Sequence, residues 1–194
     1  MTFDRQKVEQ AVRMLLEGFG EDVNREGLLE TPARVAGYWQ ELLEGAYLTN
    51  EQIAQKYAKK FKVQNNPLVV KKMHNIYSHC EHHLALMYNM DVIVAYLPVK
   101  TPDQMYEVIG LSKIPRIVEM CSKRLQLQEK LAADIADCIA LATGSPDVYV
   151  EITADHACVA ARGAKNEGST NTTLLLGRFL TDEKLRDEVE RKVK

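Results

Sequence analysis

The first apolar rhythm of the chain is helical. Val8, Ala11, Val12, Leu15, Leu16 and Phe19 recur at helix spacing, so residues 4–19 read as an amphipathic helix that Gly18 and Gly20 stop. Residues 20–30 are polar and form a connection. Thr31-Pro32 reads as an N-cap followed by proline at the first helical position, and Val35, Trp39, Leu42 and Leu43 give that second helix its apolar side before Gly45 ends it. Thr49 or Asn50 caps a short third helix ending near Tyr57. After Lys60 the period shortens. Asn65-Asn66-Pro67 makes a turn, and Val69 to Tyr77 and Leu86 to Leu97, rich in β-branched and aromatic residues, read as strands.

Beyond the Pro98–Pro102 loop, Ser112 is a natural N-cap with Lys113 at the first helical position and Pro115 at the third, where a missing N–H costs nothing. That helix runs through Val118 and Cys121 toward Leu125, and a second covers about Gln126 to Ala142. Gly144-Ser145-Pro146-Asp147 is a turn into a strand from Val148 to Thr153. Asp155 to Arg162 reads as its hairpin partner, followed by a polar loop over 165–169 and a last strand from Thr172 to Phe179. Thr181 or Asp182 caps a charged C-terminal helix. The pattern is α+β: a helical extension over 1–60, suited to packing or subunit assembly, and a strand-bearing domain over 61–194.

Charge and cysteine usage narrow the classes. A net charge of −2 gives no support for a general nucleic-acid binder. The N-terminus carries no signal-peptide pattern and no apolar run approaches a membrane span. Cys80, Cys121, Cys138 and Cys158 are irregularly spaced in a long chain, which suggests free thiols in a reducing, cytoplasmic setting. Cys121 and Cys138 fall in helical patterns and read as small core residues.

The histidines concentrate the chemistry. Four of the five lie between His74 and His83, and Cys80 sits three residues before His83. Cys-x-x-His closes two ligands onto one metal from a turn, and thiolate with imidazole suits zinc. The fifth histidine, His156, has Cys158 at i+2, so on a strand the two face one pocket. The working reading is a zinc held by Cys80, His83 and Cys158, with His82 and His156 left for proton chemistry. Three protein ligands leave a position for water, the arrangement of a catalytic zinc. The metalloprotease pattern His-Glu-x-x-His and the deaminase pattern His-x-Glu with Pro-Cys-x-x-Cys are both absent. Ser112, Lys113 and Arg116, gathered on the first turn of one helix, make an anion site or a plain cap with solvated basic residues.

Taken together, Cys80-Glu81-His82-His83, Val94-Ala95-Tyr96-Leu97-Pro98, Gly110 to Arg116, Arg124 to Glu129, His156-Ala157-Cys158 with Arg162-Gly163, and Glu30 to Ala36 resemble GTP cyclohydrolase I, in order and across nearly the whole chain. The resemblance implies conversion of GTP to 7,8-dihydroneopterin triphosphate with loss of formate. It implies zinc on Cys80, His83 and Cys158, and His82 and His156 as catalytic histidines. Glu129 with Gln128 matches the guanine-reading position, and Ser112, Lys113, Arg116 and Arg162 match triphosphate contacts. Arg34 matches an arginine that reaches the site from a neighbouring subunit. The implied architecture over 61–194 is the tunnelling fold, an antiparallel sheet backed by helices, with sheets joined across subunits into a barrel and two pentamers stacked into a decamer. Two alternatives share the scaffold: a zinc-stabilised assembly protein without turnover, and a related enzyme acting on another purine or pterin.

Overall fold

Asp4 opens the first helix. Its carboxylate accepts the Lys7 backbone N–H and caps α1 (Arg5–Gly18), the amphipathic helix expected there. The computed structural model describes residues 2–194. Helix α2 (Thr31–Leu42) starts one residue earlier than the sequence suggests: Thr31 is already helical and Glu30 holds the cap position. Helix α3 (Asn50–Tyr57) opens on a capping box, in which Thr49 accepts from Gln52 and the Gln52 side chain accepts from Thr49.

The strands follow: β1 (Lys60–Val63), β2 (Val69–Cys80), β3 (Leu86–Tyr96), β4 (Val99–Lys100) and β5 (Tyr106–Ile109). Then come α4 (Lys113–Ser122), β6 (Leu125–Gln126), α5 (Gln128–Thr143), β7 (Val148–His156), α6 (Ala157–Ala160), β8 (Thr170–Leu175) and α7 (Glu183–Val193). The main sheet has the order β6-β2-β3-β7-β8 and is antiparallel except where β6 pairs with β2. A small sheet, β1-β5-β4, lies apart in the hydrogen-bonding pattern.

The run Val92 to Leu97 is uniformly apolar because β3 is covered on both faces. Val92, Val94 and Tyr96 enter a core shared with Ile114, Ile117 and Val118 of α4 and Leu131, Ile135 and Ile139 of α5. Ile93 and Ala95 face the other way, onto Phe179 and onto Leu185 and Val189 of α7. Each fully buried aliphatic side chain contributes about 1.5–3 kcal/mol. Helix α3 adds Ile53, Ala54 and Tyr57 to the first core, whereas α1 buries nothing and α2 only Ala36.

The last third departs from expectation in ways that matter for chemistry. Residues 155–162 form no hairpin strand. Strand β7 continues to His156, the chain turns into α6, and the true hairpin partner of β7 is β8. Ala157-Cys158-Val159-Ala160 lacks polar alternation and holds two strong helix formers, so a short helix wins. The final strand stops at Leu175, where Gly177, at φ +58°, turns the chain and seats Phe179 under α7. Gln126 pairs with Cys80 in β6 instead of opening α5.

Candidate functional site

Strand register builds the site. Ser78 of β2 stands opposite Met87 of β3, and Met87 stands opposite His156 of β7. Cys80 and Cys158 each lie two residues beyond the outer members of that row. The Cys80 N–H donates to the Ala85 carbonyl at 2.8 Å, and the Leu84 N–H donates to the Cys80 carbonyl at 2.9 Å. These bonds close the tight turn Glu81-His82-His83-Leu84, in which Leu84 takes φ +54°. The Glu81 N–H donates to the Gln126 carbonyl, tying the turn to β6.

The turn brings His83 back over Cys80, and the first turn of α6 brings Cys158 to the same place. Their ligand atoms all lie within 4.8 Å of one another, with Cys80 buried, Cys158 half-buried and His83 exposed. The pair His156 and Cys158 therefore reaches the site as a strand end and a helix start, and does not share one strand face. The donor chemistry fits a divalent cation. Burial and the adjacent Cys80, which also hydrogen-bonds it, push the Cys158 thiol up, while Arg162 pulls it down. Two facing thiols resist losing both protons, and a cation is the group that satisfies both as thiolates. Arg162 Nη1 lies 3.3 Å from His83 Nε2, and the His82 ring stands edge-on to His83 at 6.3 Å.

His156 is fixed from behind. Its Nε2 lies 2.8 Å from Gln128 Oε1. The Gln128 amide nitrogen faces the Ile152 and Thr170 carbonyls and Thr172 Oγ1 at 2.9–3.1 Å, which sets which end of the carboxamide is oxygen. Gln128 is 2% exposed, so the residue expected beside Glu129 at the guanine-reading position is wholly engaged inside the protein. Glu129, the next residue of α5, is exposed. A cleft of about 360 Å³ opens beside His156, lined also by Tyr88, Asp155, Glu167 and Ser169. Asp155 accepts from Ser169 Oγ and Asn89 Nδ2, and these bonds hold its carboxyl below the usual range. Nothing in the sequence pattern marked Asp155 or the engagement of Gln128.

Ser112 occupies the cap position of α4 with its side chain unbonded and exposed, Lys113 is half-buried beside it, and Arg116 is exposed one turn on. Among the described residues no hydrogen bond or ion pair joins these three to the Cys80 group. Arg34 lies on α2, exposed, and its guanidinium pairs with Glu30 at the cap position of that helix.

The GTP cyclohydrolase I family profile matches residues 8–194. The GTP cyclohydrolase 1 of Clostridium beijerinckii is 44% identical, with 95% of this chain and 94% of that one aligned. That of Ruminiclostridium cellulolyticum is 47% identical, with 95% of each aligned. Among solved structures, an archaeosine synthase QueF-like protein covers 58% of this chain and 97% of its own at 20% identity, with a TM-score of 0.46. With a matching profile over nearly its full length, the chain belongs to the GTP cyclohydrolase I family.

Proposed function

We propose that the protein converts GTP to 7,8-dihydroneopterin triphosphate with release of formate. The observation that carries this reading is the convergence of Cys80, His83 and Cys158 within 4.8 Å, beside a histidine held by Gln128. In this reading the ion is zinc, and when bound it supplies a Lewis acid that makes hydroxide available near neutral pH. The remaining steps belong to side chains. Gln128 Oε1 can only accept, so the neutral His156 ring carries its proton on Nε2 and exchanges protons with the substrate at Nδ1. His82, on the exposed turn, is the second proton-handling group. The Glu129 carboxylate accepts from the N1–H and N2–H₂ edge of guanine, a donor pair adenine lacks. Ser112, Lys113, Arg116 and Arg162 bind the triphosphate, with the start of α4 adding its positive end.

Arg34 completes this set from a neighbouring subunit. The working form is a homo-oligomer, a decamer of two pentameric rings, with the open edges of the main sheet joined between subunits into a barrel. Residues 1–60 serve assembly and 61–194 carry the tunnelling-fold catalytic unit, in a cytoplasmic enzyme that uses neither nucleic acid nor membrane. No helix among the described residues is long and apolar enough to cross a membrane.

The test is an assay of purified protein with GTP, following formate and, after oxidation, pteridine fluorescence. Both products are expected, and both vanish with a zinc chelator. Zinc-containing, oligomeric protein that yields neither product overturns the reading.

A further inference from the structure

The last three residues of β2 are gripped from both faces. By strand alternation Ser78 and Cys80 share one face and His79 takes the other. Ser78 Oγ donates to the Ser122 carbonyl at the end of α4, at 2.8 Å. On the opposite face, His79 Nε2 lies 2.8 Å from the Tyr38 hydroxyl of α2. The His79 ring sits edge-on to Trp39 and Tyr38, with centroids 4.9 and 5.8 Å away. His79 is 3% exposed. The turn beyond it has less support, because Glu81, His82, His83 and Leu84 are all exposed and, besides the backbone bonds that close it, only the exposed Arg162–His83 contact adds a side-chain hydrogen bond among the described residues. The position of Cys80 is therefore set at its root, by what holds Ser78 and His79.

A buried imidazole is a costly filler unless its nitrogens are partnered. Here the partner belongs to a helix that the core barely holds, since α1 buries nothing and α2 only Ala36. Helix α2 also carries Arg34, one turn before Tyr38. We infer that the Tyr38–His79 bond is a clamp coupling the seating of α2 to retention of the metal at Cys80, with His79 as a positioning residue. This rests on Cys80, His83 and Cys158 being metal ligands. Whatever engages α2, including contacts around Arg34, then acts on the strand end that presents Cys80.

Zinc-loaded protein is mixed with excess chromogenic chelator and the release rate followed, with the melting temperature of metal-free protein measured alongside. Tyr38→Phe keeps the ring and loses the hydroxyl. It is expected to release zinc about tenfold faster, the lower end of what an outer hydrogen-bond partner is worth to a metal site. Its metal-free melting temperature stays within about 2 °C of the wild type, whereas a merely structural role would lower that temperature and leave the release rate alone. His79→Leu gives the same acceleration, and the double variant is no faster than either single one. His79→Gln, whose amide reaches the hydroxyl, stays near wild type. Wild-type release from Tyr38→Phe, or single effects that multiply in the double variant, overturns the clamp. Should His79→Leu not fold, Tyr38→Phe with His79→Gln decides the matter. Wild-type protein that takes up no zinc overturns the metal reading itself, and the clamp with it.

Discussion

At the scale of single residues, neighbouring positions divide the labour. Gln128 and Glu129 are adjacent at the start of α5, yet one is sealed inside and the other is open to solvent. Glu129→Ala should therefore act on recognition. Losing a charged partner that bound guanine would cover costs about 2–5 kcal/mol in kcat/KM, read by steady-state kinetics with GTP, and an unchanged kcat/KM removes Glu129 from the guanine contact. Gln128→Met should act on turnover. His156 would lose the acceptor that fixes its tautomer, and kcat is expected to fall about 100-fold. KM for GTP and zinc content should hold within about twofold. A raised KM with unchanged kcat would instead make Gln128 a substrate contact. The metal-type residues were legible in the sequence because cysteine and histidine announce their chemistry. The engagement of Gln128 was illegible, because its partners Ile152, Thr170 and Thr172 lie 24 to 44 residues away and are fixed only by the β7–β8 pairing.

At the scale of elements, the junction of α3, α5 and β6 carries the turn that bears the metal candidates. The Arg124 guanidinium donates to Asp134, Asn50 and the Gly45 and Leu48 carbonyls, and Gln126 Nε2 also donates to Asp134. Gln126 in turn receives the Glu81 N–H. Burial alone would raise the Asp134 carboxyl, but bonds from Lys130, Gln126 and Asn50 outweigh it and hold the group below its usual value. A depressed carboxyl stabilises the fold fully above its unfolded pKa of about 3.9 and loses that contribution as pH falls through the lower folded value. Asp134→Asn should cost about 3 kcal/mol near neutral pH, as for removing one partner of a buried pair. It should also flatten the fall of the urea midpoint below about pH 4. A neutral-pH midpoint equal to wild type would show that Arg124 and Gln126 do not need this carboxylate. The long strands and helices were legible from their periods. Strands β4 and β6, of two residues each, were not, since no period is readable over so short a span and only pairing defines them.

At the scale of the whole molecule, the single subunit leaves apolar surface uncovered on its N-terminal helix. Met14 and Leu15 of α1 and Phe19 at its C-cap are 55–70% exposed, although the helix is amphipathic and packs on α2. The α+β class and the helical start were legible in the sequence, whereas the contact proposed for Arg34 across subunits is not visible in one chain, where among the described residues its guanidinium pairs with Glu30. If Arg34 serves a neighbour's site, two different defects must complement. Cys158→Ser removes a proposed metal ligand and should abolish zinc binding and turnover in homogeneous protein. Arg34→Ala keeps zinc and should lose most turnover. Co-expressed in equal amounts and assembled at random, the two variants would yield sites with an intact Cys158 from one subunit and an intact Arg34 from the next. About a quarter of all sites would then be whole, as a head-to-tail ring requires. Formate release at that level, from two nearly inactive parents, is the expected outcome. If Arg34 served its own subunit's site, no site in the mixture would gain anything that its parents lack, and activity would stay at the mean of the two.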